Sequence, residues 1–443
     1  MGYDWTGSLQ YQADIAHYAT SSTQQSNCSV EPGNEDDVAK ILQIIGQTRT
    51  PFAVKGAGHT SNPGFSSTPG VHISLTRFNE VTYDEASGTA VVGAGNIWDN
   101  VYAALAPYGV NVVGGRVTGV GVAGFTLGGG YSWKSNQYGL TVDTVQAFEL
   151  VKPTGQISTV TADSDPDLFF ALKGIVTKFT FKTFPQTNVW GGLLTYTQDQ
   201  LDKVNAATVA FSSNVTDPKA SIITTYNYVL GEAGVSQLLF YDGPTPPAGI
   251  FDDFLAITSF SQDVKTRSFL DLVTTAPANA TAGNRGIFNT VSFEQFTPTV
   301  VDAVLNETKA SLFSSTDLSL KSGTFISYDV EPFLQSLLTY NTAATAYPPT
   351  RSRSYLPLNI YYVWSSEAED ELFQSTAATS AAHLKSVAAA DGQDLSDAPL
   401  YGNYAIFSTP LEDIYGDNVA RLKAIKAAVD PTNIMSLAGG WKF

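Results

Sequence analysis

The sequence predicts an α+β protein of two domains. Three observations point that way. Hairpin-forming segments stand beside amphipathic helices without the regular alternation of a doubly wound sheet. Two glycine-rich stretches each follow an apolar segment, and the texture of the chain changes near Trp190 before reverting towards the C-terminus. The boundaries read as 1–189 for the first domain, 190–398 for the second, and 399–443 for a segment that returns to the first.

In chain order, the first clear element starts at Asn34, a residue suited to cap a helix whose first turn is Glu35, Asp36 and Asp37. Val38, Ile41, Leu42 and Ile45 fall on one face at helical spacing, and Gly46 is expected to close the helix. Residues 51–54 read as a buried strand running into the turn Lys55-Gly56-Ala57-Gly58-His59. Strands follow at 71–75, 80–83 and 89–93, the last two joined through Ser87-Gly88. A helix over 97–107 places Ile97, Val101 and Leu105 on one side. Residues 144–151 and 156–160 form a hairpin around Pro153-Thr154-Gly155, and 175–184 alternates as a strand. Beyond Trp190 come longer Ser/Thr stretches, more aromatics and Pro-rich links at 244–248 and 347–349. A helix over 417–429, with Val419, Leu422 and Val429 inward, is stopped by Asp430-Pro431.

Composition excludes several classes of function. Hydrophobic residues are 43% and charged residues only 15%, so a large core is available and disorder is not expected. The net charge of −17 repels phosphate backbones and anionic lipid, so neither nucleic acid nor a membrane is an expected partner. Cys28 is the only cysteine, and His17, His59, His72 and His383 are scattered, so no metal site is expected. No apolar run approaches the ~20 residues of a membrane helix. Residues 1–11 lack the features of a secretory leader. Sequons at Asn27, Asn214, Asn279 and Asn306 tilt the choice slightly towards secretion.

Gly119-Val120-Gly121-Val122-Ala123-Gly124 matches G-x-G-x-x-G, and Asp143 lies about twenty residues on, as in a nicotinamide dinucleotide fingerprint. The match is misleading. No amphipathic helix is expected after Gly124, because Phe125-Thr126-Leu127 leads into Gly128-Gly129-Gly130, which is hostile to helix. Two readings remain, a glycine loop that packs on a neighbouring sheet and a cradle for another cofactor. Bare backbone suits the second, because without Cβ atoms the chain can bring N–H groups against a planar or phosphorylated molecule.

Several landmarks in order resemble the berberine bridge enzyme-like oxidases of the vanillyl-alcohol oxidase/p-cresol methylhydroxylase superfamily, most closely their fungal members. They are VEPGNEDDVAKIL, PFAVKGAGHTSNPGFSS, GGRVTGVGVAGFTLGGGYSW, GLTVDTVQAFELV, PDLFFALKG and YGDNVARLKAIKAAVDPTN, and they span nearly the whole chain. The resemblance implies a two-domain flavoprotein, with an FAD-binding domain and a substrate domain built on an antiparallel sheet flanked by helices. It also implies FAD as cofactor, joined through His59 to the 8α carbon, with Lys55, Gly56, Ala57, Gly58 and Thr60 around the diphosphate. The second loop would contribute Val117, Gly119, Val120, Gly121, Gly124, Phe125, Gly128, Gly129 and Gly130, and the strand after it Val176. Many relatives carry a cysteine where Val117 stands, and this chain has none there, so one covalent link is expected. Val120 falls where a small aliphatic residue lets dioxygen reach the ring. Tyr401 and Asn403 match the Y-x-N element beside the reactive ring, in which the tyrosine serves as base.

A phenol of ordinary pKa near ~10 is a poor base at neutral pH, so Tyr401 needs a cation or a proton-accepting partner. Relatives often supply a carboxylate from the substrate domain. The corresponding stretch here, 341–353, offers only Arg351 and Arg353. Relatives also carry a glycine- and asparagine-rich loop touching the flavin after the leucine-lysine-glycine of 172–174, and this chain runs directly from Gly174 into Ile175-Val176-Thr177. Tyr226, Tyr228, Tyr328, Tyr361, Tyr362 and Trp364 could stack on substrate or fill a sheet's core.

The resemblance thus implies an oxidase that passes hydride from an alcohol, sugar or amine C–H to the flavin and on to dioxygen, releasing peroxide. The expected protein is a secreted monomer whose leader is absent from this sequence. The alternative is a flavin-fold binding protein whose shortened segment at Lys173-Gly174 leaves the pocket incomplete.

Overall fold

The computed structural model describes residues 2–229, 232–308 and 322–443. A four-stranded sheet orders Gly2–Trp5, Cys28–Glu31, Val71–Ser74 and Phe52–Lys55, the first pairing antiparallel and the other two parallel. Beside it an antiparallel five-stranded sheet orders Val81–Asp84, Thr89–Gly93, Ile175–Lys182, Val145–Val151 and Ile157–Val160. The hairpins around Ser87-Gly88 and Pro153-Thr154-Gly155 form as the turn residues predict. One continuous core joins these sheets to the helices Glu35–Thr48 and Trp98–Leu105 through Val38, Leu42, Phe52, Val92, Val101 and Phe179.

A further, seven-stranded sheet is antiparallel throughout and orders Ser261–Arg267, Val189–Thr197, Glu232–Tyr241, Ala220–Val229, Gly323–Val330, Leu356–Trp364 and Arg285–Phe293. Helices Leu201–Asn214, Pro298–Asn306 and Asp370–Ala390 cover one face, burying Val204, Phe211, Val300, Phe373 and Leu384 against it. Strand alternation sorts the aromatics. Tyr226, Tyr328, Tyr362 and Trp364 are sealed in the core, and Tyr328 and Ser380 of the long helix share a hydrogen bond of 2.8 Å. Tyr361 points to the opposite face, stacked on Phe288 at 4.5 Å. Tyr228, half-buried, packs against the same core, so five of the six aromatics belong to it and Tyr361 alone belongs to the opposite face.

Asn34 caps its helix as the sequence predicts, its side chain accepting from the Asp37 amide at 3.0 Å. Gly46 does not close that helix. The helix continues to Thr48 and ends at Arg49, which adopts φ 56°. Gly46 serves another purpose, because a Cβ there would lie 2.9 Å from Ile434 Cδ1. The C-terminal segment docks at this point, with Arg49 donating to the carbonyls of Thr432 (2.8 Å) and Asn433 (3.2 Å). Asp430 terminates the helix Asn418–Val429 and accepts from the amides of Ile434 and Met435, each at 2.8 Å.

The abbreviated segment at Lys173-Gly174 is closed by packing. Gly174 holds φ 146° with its Cα against the Val151 carbonyl, and the Lys173 ammonium lies 3.8 Å from the centre of the Phe443 ring. Arg421 stacks over Phe170 at 3.8 Å and pairs with Asp167 at 2.6 Å, fixing the C-terminal helix to the same place.

The Gly46 contact is testable. Gly46→Ala gains helix propensity and displaces only the tip of Ile434, so its stability stays within about 1 kcal/mol of wild type. Gly46→Leu overpacks the seam and costs about 1–3 kcal/mol. Denaturant midpoints at constant m check both values.

Candidate functional site

The strand Phe52–Lys55 delivers the first loop. Lys55 turns inward, its ammonium donating to the carbonyls of Ala13 (3.2 Å) and Ala16 (3.0 Å), and burial pushes its pKa down to about 8. Gly58 needs its glycine, because φ is 75° and a Cβ would stand 3.0 Å from the Ala16 carbonyl. The amides of Gly56, Ala57, Gly58 and His59 have no acceptor among the described residues. Four successive N–H groups without an acceptor supply the donors that an anion-binding concavity needs. The loop is pinned on its far side: Ser22 Oγ donates to the Thr60 carbonyl (2.8 Å), and the Phe288 amide donates to Ser61 Oγ (2.9 Å). Asn62 donates to the Ala405 carbonyl (2.9 Å) and accepts from the Phe407 amide (3.0 Å). The half-buried His59 imidazole stacks on Tyr18 at 4.3 Å and parallels Phe288 at 6.2 Å. Burial pushes it down to about 4, so it is neutral at ordinary pH.

The second loop meets the first. A Cβ on Gly121 would fall 2.7 Å from Ala57 Cβ, and one on Gly56 would fall 3.6 Å from Ala123 Cβ. Asp99 anchors the approach, accepting from Thr118 Oγ1 (2.5 Å) and from the Gly119 amide (3.0 Å), and Gly119 takes φ 82°. Here one expectation is corrected. A helix does form, Val122–Leu127, capped by Gly121 and ended at Gly128, so Phe125-Thr126-Leu127 is helical. Its shortness explains the miss, since six residues carry no full amphipathic period. Gly124 lies inside it, exposed, with nothing within 4 Å of a Cβ position.

The glycine triplet makes room for side chains. A Cβ at Gly128 would sit 2.0 Å from Asn403 Oδ1, one at Gly129 2.8 Å from Tyr347, and one at Gly130 2.7 Å from Phe125 and Thr141. Val117 and Val120 are half-buried at the edge of the first core. Val176 lies within the five-stranded sheet, paired with Leu150, and is linked to the loops only indirectly: the next carbonyl, of Thr177, accepts from the Ala94 amide at 2.8 Å. Asp143, the would-be ribose ligand of a dinucleotide fingerprint, is instead ion-paired to Arg351, while Arg353 is paired with Glu294. Neither arginine of 341–353 therefore serves as the cation beside Tyr401.

That cation is Arg116, which sequence reasoning missed. Tyr401 is buried, its hydroxyl accepting from Asn403 Nδ2 at 2.8 Å, and Asn403 also donates to the Phe125 carbonyl at 3.1 Å. Burial pushes the phenol up to about 12, while Asn403 and Arg116 work to lower it. Tyr404 packs edge-on to Tyr401 at 4.8 Å and donates to Glu331 at 3.0 Å. Arg116 Nη2 reaches both Glu331 oxygens and the Tyr404 hydroxyl, each at 2.8 Å. Burial raises the Glu331 carboxyl, opposed by Arg116, and raises Asp329 two residues earlier to about 7, with Glu331 adding to the rise. Asp329 lies in the strand Gly323–Val330, where alternation places it opposite the face of Tyr328, and Glu331 directly follows the strand's last residue. Arg116 stands out as one of two charges in the glycine stretch, a signal that was available.

A row of rings links the two ends of the site: His59 to Phe288 at 6.2 Å, Phe288 to Tyr404 at 6.4 Å, and Tyr404 to Tyr401 at 4.8 Å. Free amides at one end, a neutral imidazole beside them and a polar tyrosine cluster at the other end fit a diphosphate joined to a long planar ring. The buried hydroxyls of Thr126 and Thr141, without partners among the described residues, lie on the same loop side. No group of three or more metal-ligating side chains occurs among the described residues.

Residues 26–161 match the model of the FAD binding domain, and residues 401–438 match that of berberine and berberine-like proteins. The FAD-dependent monooxygenase drtC of Aspergillus calidoustus is 31% identical over 98% of this chain and 86% of its own length. Among solved structures, Physcomitrella patens BBE-like 1 superposes with a TM-score of 0.80 at 21% identity, covering 98% of this chain and 95% of that one. The carbohydrate oxidase from Microdochium nivale gives 0.77 at 20% identity, with 98% and 95% covered. The fold is that of these flavoproteins, and the chain belongs to the berberine bridge enzyme-like family of FAD-dependent oxidoreductases.

Proposed function

We propose that this FAD-dependent oxidoreductase is an oxidase of a small organic molecule, holding its cofactor covalently through His59. The observation that carries the reading is the neutral, stacked imidazole standing beside four free amides, with the polar Tyr401 cluster three ring contacts away. When bound, FAD supplies a hydride acceptor and is reoxidised by dioxygen with release of peroxide. The chain's own residues do the rest. The Gly56–His59 amides bind the diphosphate, and the contact of Ala57 with Gly121 fixes the spacing of the loops. The half-buried aliphatic side chain of Val120 leaves room at the loop surface for dioxygen.

Tyr401 orients the reacting carbon through its hydroxyl and receives the substrate proton. A phenol near 12 is protonated at neutral pH, so it acts as a base only when its own proton leaves in the same step. We take Asp329, which shares its electrostatic surroundings with Glu331, Arg116 and Tyr404, as the group that finally takes up that proton through this cluster, and Arg116 stabilises the negative charge that develops. The sign of the pH dependence follows. Below about 7 Asp329 is protonated and turnover falls; above it the carboxylate is free and turnover levels off. The exposed sequon asparagines Asn27, Asn214, Asn279 and Asn306 support a secreted, glycosylated protein, and we take it to be a monomer.

Three outcomes are expected. The purified protein is yellow and its colour stays with the acid-precipitated polypeptide, whereas His59→Ala releases it; colourless protein from a flavin-replete host would favour the non-redox alternative. Tyr401→Phe retains flavin and loses about 10²–10⁴-fold in kcat by peroxide-coupled assay. In wild type kcat/KM rises with pH to a plateau above about 7, and Asp329→Asn flattens that profile while lowering its height.

A further inference from the structure

A cleft lies between the turn that follows Asn62 and the end of the chain, and we infer that it binds an organic monocarboxylate with a flat apolar body. The inference stands apart from the oxidase reading. The cleft holds about 390 Å³, a size that suits a small ligand. It shares no residue with the glycine loops at 55–60 and 117–130. Phe52 reaches it from the start of the strand whose other end, Lys55, leads into the first loop. Backbone contact sets its shape. A Cβ at Gly439 would fall 2.1 Å from the carbonyl oxygens of both Gly64 and Phe65, so the end of the chain lies directly on the turn. Trp441 braces that contact, edge-on to Phe65 at 4.9 Å.

The walls are apolar and the polar groups are donors. Phe52 is buried, and Phe65, Phe407 and Leu437 complete the apolar surface. No Asp or Glu lines the cleft, although acidic residues outnumber basic ones 41 to 24 in the chain. Ser67 Oγ donates to Gln24 Oε1 at 3.3 Å, which leaves the Nε2 end of that carboxamide without an acceptor among the described residues. The buried Thr68 hydroxyl accepts from the Gly70 amide at 3.0 Å, and its own proton likewise has no acceptor among them. The same holds for the amides of Ser67, Thr68, Gly439 and Gly440. Lys442 adds a positive charge at an exposed position of the rim. Its ammonium donates to the carbonyls of Ser436 (3.2 Å) and Ala438, which leaves one proton over. Partial burial pushes its pKa down, and no carboxylate among the described residues opposes the shift. Such an excess of donors calls for a guest rich in acceptors, and a carboxylate brings two oxygens and a negative charge. Acetate would leave the rings against water, and a neutral aromatic would leave the donors poorly matched.

Calorimetric titration of the purified protein with phenylacetate, phenylacetamide and acetate tests the assignment without requiring turnover. Phenylacetate is expected to bind at least about 10-fold more tightly than the amide, from its charge-assisted hydrogen bonds, and at least about 10-fold more tightly than acetate, from burial of the ring. Lys442→Gln should cut the preference for phenylacetate over the amide to about 3-fold or less. Leu437→Trp, which fills the cleft, should weaken phenylacetate at least about 10-fold. No heat with phenylacetate, equal binding of the acid and its amide, or acetate matching phenylacetate would overturn the assignment. So would unchanged binding in both variants, which would move the ligand to the flavin site. Lys442→Gln changes an exposed side chain and keeps the test decisive even if Leu437→Trp does not fold. Colourless protein that prefers phenylacetate removes the oxidase reading alone, whereas yellow protein without the preference removes this inference alone.

Discussion

The approach of Ala57 to Gly121 is the constraint on which the rest of the site depends. Two backbones come so close that a single methyl on the glycine would fall 2.7 Å from the alanine Cβ. That proximity turns two separate loops into one surface. It places the free amides of Gly56–His59 beside the start of the helix Val122–Leu127. Asp99 holds one partner through Thr118 and Gly119, and Lys55 holds the other through the carbonyls of Ala13 and Ala16.

Against this apolar and dipolar surface the charged groups are concentrated at the opposite end. Arg116, Glu331, Asp329 and the tyrosines near them perturb one another strongly because little water reaches them. Such a division is physically reasonable: neutral rings and bare amides hold a flat cofactor without demanding counter-charges, and titratable groups stand where protons must move. The chain's overall excess of acid, −17, has no part in this, since the local pairing of Arg116 with Glu331 governs the field in the pocket.

Much of this was legible in the sequence wherever a short-range physical rule applied. The Asn34 cap, both hairpin turns, the strand before Lys55 and the stop at Asp430-Pro431 all follow from local conformational preference. What escaped had causes at long range. Gly46 looks like a terminator by local preference, and only the arrival of Ile434, far along the chain, reveals it as a packing surface. The helix at Val122–Leu127 is too short for periodicity to announce. Asp329 in its strand and Glu331 just past the strand's end are unremarkable until the fold brings Arg116 and Tyr404 against Glu331. The glycine triplet was readable as a demand for space, but that Asn403, Tyr347 and Thr141 claim that space is a tertiary fact.

The Asn62 carboxamide spans 343 residues of sequence to Ala405 and 345 to Phe407. Early residues of this sequence are thereby fastened to residues far later in it. A nascent chain holding only its first half can build the sheet beneath Lys55 yet leave the far wall of the pocket open. Closure of the pocket therefore waits on the most non-local contacts of the fold, which form late because a long loop must close before they can be made.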